Sequence, residues 1–125
     1  MTDMISTTTT TTIAPFHSQR PWGDFEQFTL NEQTTVKIIT VQPGCRLSKQ
    51  RHDHRGEFWQ VLDGPMQIEV DGRSWMAERG ENIWVPQGST HRMSNPTSTA
   101  ARILEIAHGH FDELDIERLE DDYSR

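Results

Sequence analysis

Apolar and polar residues alternate in short runs along most of this chain, which is the pattern of half-buried β-strands. These runs are rich in β-branched and aromatic residues, and they predict strands over 25–30, 35–41, 46–52, 57–62, 66–70, 74–77, 82–85 and 101–107. Turn-forming pairs such as Pro43-Gly44 separate them, and Asp71-Gly72 predicts a tight type I′ hairpin. Many short strands joined by such turns predict an all-β sandwich or barrel.

The two ends of the chain depart from this pattern. Residues 1–19 include a run of threonines and few apolar residues, so we expect a disordered tail before a single domain over residues 20–125. Residues 111–119 show a weak helical pattern. The start lacks the basic and apolar parts of a secretory signal, and no apolar run approaches the roughly twenty residues of a membrane span. A cytoplasmic location is therefore expected.

Charge restricts the partners. The net charge of −7 argues against nucleic acid or an anionic membrane. Four of the twelve basic side chains nevertheless fall within residues 46–55, which indicates a small anionic ligand or, alternatively, solvated edge-strand positions. Cys45 is the only cysteine, so an internal disulfide is excluded, and we interpret it as a strand residue rather than a nucleophile.

Two segments carry candidate metal ligands. The first reads Gln50-x-His52, with His54 and Glu57 following, and the second places His91 just after a Pro-x-Gly turn. Residues two apart on a strand share a face, so Gln50, His52 and His54 are expected to point together, and the next turn brings Glu57 back towards His52. Imidazole, carboxylate and amide groups together suit Zn, Mn, Fe, Co or Ni. The alternative is a set of unrelated histidines.

Both segments resemble the two conserved motifs of the cupin superfamily, with Gln50 in place of the usual first histidine. The resemblance implies a double-stranded β-helix, which is a small β-barrel of jelly-roll form. It also implies one divalent transition metal bound by Gln50, His52, Glu57 and His91. Zinc is the expected ion, with Mn, Co, Fe or Ni as alternatives.

Residues 47–59 are similar to the isomerase domain of type II mannose-6-phosphate isomerases, as are Arg20-Pro21-Trp22-Gly23 and residues 119–125. That family often carries a guanylyltransferase domain ahead of the cupin, for which this sequence has no room, so a stand-alone cupin is expected. Phe58 stands where the family usually has a histidine. The implied reaction interconverts mannose 6-phosphate and fructose 6-phosphate.

Further residues receive roles in this interpretation. His54 is the expected proton carrier, with a turn-fixing or hydrogen-bonding role as the alternative. The resemblance implies that Arg55 and Arg118 take part in the site. Strand alternation adds Arg46 as an inward-facing phosphate contact, and Trp59 shares the face of Glu57 and could line the cavity.

Two other functions remain open. An iron cupin oxygenase is one, although Gln50 argues against it. The second is a non-catalytic cupin that binds a sugar or another small ligand, which the change at Phe58 would favour. The partner is expected to be a small phosphorylated sugar, and a homodimer is expected, as in many single-domain cupins.

Overall fold

The computed structural model describes residues 16–110, 112 and 114–123, and the chain divides into two compact units at Asn31 and Glu32. In the first unit, β1 (Phe16–Arg20) and β2 (Gly23–Gln27) form an antiparallel sheet. Every residue of β1 pairs with β2, so the predicted disordered tail is wrong for residues 16–19. Residues 1–15 lie outside the described residues.

The second unit consists of two antiparallel sheets. The first sheet has the strand order β3 (Thr34–Val41), β10 (Ala101–Gly109), β5 (Arg55–Asp63) and β8 (Asn82–Val85). The second has the order β11 (Glu117–Glu120), β4 (Lys49–Arg51), β9 (Thr90–Ser94), β6 (Met66–Val70) and β7 (Arg73–Ala77). The described residues contain strands and no helix, which confirms the all-β prediction. Among them there is accordingly no helix of the length and apolar character that a membrane span requires.

The hydrophobic core of the second unit draws on both sheets. Its most deeply buried large side chains include Trp59, Val61, Val85 and Ile103 from the first sheet, and Met66, Ile68 and Met93 from the second. Because strand residues alternate between faces, Glu57 on β5 and Glu105 on β10 share the inward faces of these apolar residues. Both carboxyl groups are buried, which is costly unless partners compensate, so the inward face marks where chemistry is concentrated.

Two glycine positions shape this scaffold. Asp71 and Gly72 join β6 to β7 with positive φ angles of 48° and 84°, which confirms the predicted type I′ hairpin. At Gly56, a Cβ atom would lie 2.7 Å from the ring of Trp84. A larger residue would displace that ring, so glycine allows the close approach of β5 and Trp84 at the position between Arg55 and Glu57.

The predicted strand over residues 46–52 is only partly regular. Gln50 pairs with His91, whereas Arg46 forms an isolated bridge with Ser94, so four steps along one strand match three along the other. One extra residue reverses the side-chain alternation, as in a β-bulge. Ser48 is therefore buried while Arg46 is exposed, and the expectation that Arg46 faces inward is wrong.

The predicted helix over residues 111–119 is also wrong for the described residues. Leu114 and Asp115 lie in a turn, and β11 then pairs antiparallel with β4. The hydrogen bonds along the edge of β4 outweigh the weak helical pattern of this segment. Phe111 and Glu113 lie outside the described residues.

Candidate metal centre

Three of the predicted ligands converge between the two sheets. His52 follows β4, Glu57 lies on β5 and His91 lies on β9, and one potential ligand atom from each is within 4.8 Å of the others. Glu57 Oε2 is 3.3 Å from His52 Nε2, and Glu57 Oε1 is 3.8 Å from His91 Nε2. All three side chains are at least 95 % buried. Two imidazoles and a carboxylate are a donor set that fits a divalent transition metal.

Backbone carbonyl groups set the orientation of both imidazole rings. His52 Nδ1 lies 2.8 Å from the carbonyl oxygen of Asp115, and His91 Nδ1 lies 3.2 Å from that of Ser89. A carbonyl oxygen only accepts, so each Nδ1 donates, and in a neutral ring this leaves the lone pair on Nε2. Both Nε2 atoms face Glu57, and this support through the second ring nitrogen is typical of metal-binding histidines.

The protonation states also suit a metal. Burial alone would raise the pKa of Glu57, but the charges of His91 and His52 and the hydrogen bonds from Glu105 and Arg55 lower it overall. For His91, burial lowers the pKa by more than the charge of Glu57 raises it. At neutral pH the carboxylate is therefore ionised and the His91 imidazole is neutral, which are the forms that coordinate metals.

Gln50, the fourth predicted ligand, is half-buried and lines the same cavity as His52 and Glu57. Its Nε2 atom donates a 2.9 Å hydrogen bond to the hydroxyl oxygen of Ser48. Because the amide nitrogen is used in this hydrogen bond, the amide oxygen is the atom that could bind a metal.

Arg55 places a positive charge against the same ligand atoms. Its Nε donates to Glu57 Oε2 at 3.2 Å, and its Nη2 lies 3.3 Å from His52 Nε2. A further bond from Nη1 to the carbonyl oxygen of Asp112, at 3.1 Å, anchors the guanidinium. Arg55 is buried, so its positive charge is held directly against the lone pairs of His52 and Glu57. A positive charge at this point is consistent with a group of atoms that attracts cations.

Three of the predicted ligands, Gln50, His52 and Glu57, line a cavity of about 230 Å³, here called the inner cavity. It lies between the sheets, and Arg118 reaches it from β11. Its lining is Lys37, Ile39, Leu47, Gln50, His52, Arg55, Glu57, Glu105, Ile116 and Arg118. The structure therefore brings Arg55 and Arg118 together with the predicted ligands.

Trp59 also lies in this region, but it is completely buried. Its indole Nε1 donates to Glu57 Oε1 at 3.2 Å, and its ring meets that of His91 edge to face with centroids 5.6 Å apart. Trp59 thus contacts two of the predicted ligands, and it lines a small pocket that shares Gln50 and Glu57 with the inner cavity, rather than the inner cavity itself.

His54, the expected proton carrier, does not line the inner cavity. Its side chain is 73 % exposed, and its Nδ1 lies 3.4 Å from Asp115 Oδ2. β4 ends at Arg51, so the two-residue alternation used to orient His54 no longer applies beyond that point. The expectation that His54 points together with His52 is therefore wrong, and its geometry matches the alternative role of fixing the turn.

Arg46 lines a second cavity of about 260 Å³, here called the outer cavity, with Thr40, Val41, Gln42, Cys45, Leu47 and Tyr123. Its guanidinium forms two hydrogen bonds with Asp122, at 2.7 and 3.0 Å. Arg46 is therefore separated from the metal ligands and already paired with a carboxylate.

Phe58 occupies the face of β5 opposite to Glu57 and Trp59. It pairs across the sheet with Ile106 on β10 and Trp84 on β8, and it lines neither cavity. Having phenylalanine instead of histidine at this position therefore does not remove a polar group from the candidate metal centre.

Sequence reasoning missed three polar residues around the site. Asp115 supplies the carbonyl that orients His52, and its carboxylate accepts hydrogen bonds from the backbone N–H groups of Asp53 and His54. Lys37 and Glu105 line the inner cavity from facing positions on β3 and β10. Lys37 and Glu105 could have been found from the sequence, because each is a charged residue at a strand position that the alternating pattern places on the inward face.

Glu105 has an unusual protonation state. Burial, followed by the charge of Glu57 and a hydrogen bond to it, raises the pKa of Glu105 to about 8, although Lys37 and Trp59 act in the opposite direction. Glu105 is therefore protonated at neutral pH and can donate its proton in a hydrogen bond to Glu57.

Known proteins resemble this chain in sequence. The sequence profile of the family described as "Mannose-6-phosphate isomerase C-terminal" matches residues 9–121. The alginate biosynthesis protein AlgA of Pseudomonas aeruginosa is 40 % identical over 107 residues, and mannose-1-phosphate guanylyltransferase ManC of Salmonella typhimurium is 37 % identical over 107 residues. Each alignment covers 85 % of this chain but 22 % of the relative, so the chain spans about a fifth of the length of these proteins.

Solved structures show the fold. The capsular polysaccharide assembling protein CapF of Staphylococcus aureus matches with a TM-score of 0.65 and 19 % identity, over 86 % of this chain and 34 % of CapF. A cupin-superfamily sugar phosphate isomerase of Silicibacter pomeroyi matches with a TM-score of 0.60 and 19 % identity, over 74 % of this chain and 70 % of that protein. The predicted cupin fold is confirmed.

Proposed function

Because the chain belongs to the mannose-6-phosphate isomerase C-terminal family, we propose that it is a metal-dependent isomerase that interconverts mannose 6-phosphate and fructose 6-phosphate. The observation that supports this most strongly is the convergence of His52, Glu57 and His91 beside a cavity lined by basic side chains. A metal centre supplies the electrophile that sugar isomerisation needs, and the cations suit a phosphorylated substrate.

The proposed cofactor is one divalent transition metal, with zinc as the first choice. Gln50, His52, Glu57 and His91 would hold it, since the first three line the inner cavity, His91 Nε2 lies 3.8 Å from Glu57 Oε1, and all four offer oxygen or nitrogen donors. When bound, it would act as a Lewis acid that polarises the sugar carbonyl and stabilises the negative charge that develops on oxygen.

The arginine residues would bind and orient the substrate. Arg118 is exposed at the inner cavity, where its planar guanidinium can donate two parallel hydrogen bonds to a phosphate group. Arg55 is fixed by Glu57 and by the carbonyl of Asp112, so it would act close to the ligand atoms. Together the two arginine side chains would hold a flexible sugar phosphate in one orientation, which would lower the barrier to reaction.

The reaction also moves a proton between neighbouring carbon atoms through an enediol, which requires a group that exchanges protons. His54 does not reach the inner cavity. Of the described cavity-lining residues outside the proposed ligand set, Lys37 and Glu105 have side chains able to exchange a proton. The exposure of His54 favours a second candidate function, in which the protein binds a sugar phosphate without converting it.

One assay separates these two functions. The purified, zinc-loaded protein is incubated with mannose 6-phosphate, and fructose 6-phosphate is followed by NMR. We expect conversion that stops on chelation and returns when the metal is restored. If the protein binds mannose 6-phosphate saturably but does not convert it with Zn, Mn, Co, Fe or Ni, the isomerase proposal is wrong and the binding function is supported.

The expected homodimer remains a prediction.

A further inference from the structure

Both walls of the inner cavity carry a cation. Lys37 reaches the cavity from β3 of the first sheet, and Arg118 reaches it from β11 of the second. Lys37 lies directly opposite Glu105, which in turn lies opposite Trp59 on β5. This strand register fixes the inward position of Lys37, so its place in the lining is built into the sheet.

Positive side chains outnumber negative ones in this lining. The cations are Lys37, Arg55 and Arg118, and the acids are Glu57 and Glu105. Even with both carboxyl groups ionised, one positive charge remains in excess, within a chain whose net charge is −7. A bound divalent metal would add to that excess. A positive cavity in an acidic protein concentrates anions.

The three cations are not equivalent. Arg55 lines the cavity but is buried, and its contacts with Glu57, His52 and the carbonyl of Asp112 hold it against the predicted ligands. Lys37 is half-buried and Arg118 is exposed, so these two reach the open part of the cavity. An anionic group that entered would therefore lie between cations from opposite sheets.

We propose that Lys37 contacts the anionic group of the bound ligand and, opposite Arg118, selects phosphorylated sugars over neutral ones. The sugar part of this inference rests on the proposed function, whereas the preference for an anion rests on the cavity itself. The lysine ammonium is a compact charge with three donors, which suits an oxyanion that does not need planar recognition.

Calorimetric titration of the zinc-loaded protein tests this role without turnover. Mannitol 6-phosphate, which lacks a carbonyl and cannot isomerise, is one probe, and inorganic phosphate is the other. Lys37→Met should weaken the binding of both by about 10- to 100-fold, the usual effect of losing a hydrogen bond to a charged group. Lys37→Gln should behave similarly, whereas Lys37→Arg should retain most of the affinity.

The matched control is Lys49→Met. Lys49 lies on β4 and pairs with Glu69 at 3.0 Å, outside the inner cavity, so this variant should bind both anions like the wild type. Zinc content and thermal unfolding establish that each variant is folded and loaded.

The outcomes distinguish this inference from the proposed function. Wild-type affinity for both anions in zinc-loaded Lys37→Met and Lys37→Gln would overturn the role of Lys37, and so would a wild-type protein that binds neither anion. If the wild type does not convert mannose 6-phosphate but binds phosphate in a Lys37-dependent way, the isomerase is wrong and the anion site stands.

Discussion

The inner and outer cavities of the second unit are similar in size, at about 230 and 260 Å³, and Leu47 lines both. They differ in how their polar groups are held. In the inner cavity His52 is oriented by a backbone carbonyl, and its Nε2 atom faces the buried carboxylate of Glu57. In the outer cavity Arg46 is neutralised by Asp122, and Cys45 is exposed. Cavity volume therefore does not locate the site, whereas buried, convergent and pre-oriented donors do.

The largest expected effect comes from removing one of the predicted metal ligands beside the inner cavity. His91→Ala should abolish stoichiometric zinc, with an affinity loss above about 100-fold, because even the loss of a hydrogen bond behind a ligand typically costs about 10- to 100-fold. Metal analysis after dialysis measures this, with circular dichroism as the check on the fold. Cys45→Ser is the matched change at the outer cavity and should leave the zinc content unchanged. Equal zinc content in both variants would mean that the ligand set is wrong.

The next effect contrasts two arginines, one at each cavity. Arg118→Met should lower kcat/KM for mannose 6-phosphate by about 10- to 100-fold, because a charge-assisted contact to phosphate is worth roughly 1.5–3 kcal/mol. Arg46→Met removes the same charge from the outer cavity and should change kcat/KM by less than about twofold. Steady-state kinetics on the two variants test whether Arg118 binds the phosphate. A larger loss of kcat/KM in Arg46→Met than in Arg118→Met would contradict this role.

A smaller effect is expected at Asp115, which forms hydrogen bonds with His52, Asp53 and His54 in the loop after β4. Burial would raise the pKa of Asp115, but hydrogen bonds from the backbone N–H groups of Asp53 and His54, together with the charge of His54, lower it overall. A carboxylate whose folded-state pKa is depressed stabilises the protein above its ordinary pKa of about 3.9, and that stability is lost as the pH falls through the folded value.

Asp115→Asn should therefore lower the denaturation midpoint at pH 6, and the difference from the wild type should shrink below about pH 4. It should also weaken zinc binding by roughly tenfold, since the loop that carries His52 loses an anchor. Denaturant titrations at several pH values measure the first effect. Asp53→Asn, at an exposed position of the same loop, is the control, and a pH-independent difference would contradict the proposed role of the carboxylate.

The smallest effect on activity is expected at Phe58, on the face of β5 that points away from the inner cavity. Phe58→His restores the residue that is usual in the family, but it should change isomerase activity by less than about threefold. Because a polar ring would be buried there, stability should fall by about 1–3 kcal/mol. A large gain in turnover on this substitution would show that Phe58 communicates with the site after all.

Much of the site could be predicted because its rules are local. The alternation of strand residues and the Asp71-Gly72 turn depend on neighbours in sequence, and both are observed. The pairing of Gln50 with His91 brought the two predicted ligand segments together.

The errors arose where distant parts of the chain decide the local structure. The reversal at Arg46 comes from pairing with Ser94, which no local pattern contains. Asp115 lies 63 residues after His52, yet it supplies the carbonyl that fixes the ring of His52. The exposure of His54 follows from the end of β4, which depends on its partners β9 and β11. Strand alternation is reliable only within a known register.

X-ray absorption spectroscopy of the zinc-loaded protein tests the metal centre most directly, because it counts the imidazole ligands. The structure predicts two imidazole nitrogens, from His52 and His91, together with oxygen donors at about 2.0–2.2 Å. A sulfur ligand near about 2.3 Å would place the metal at Cys45 in the outer cavity, and a shell with fewer than two imidazoles would contradict the convergence of His52, Glu57 and His91.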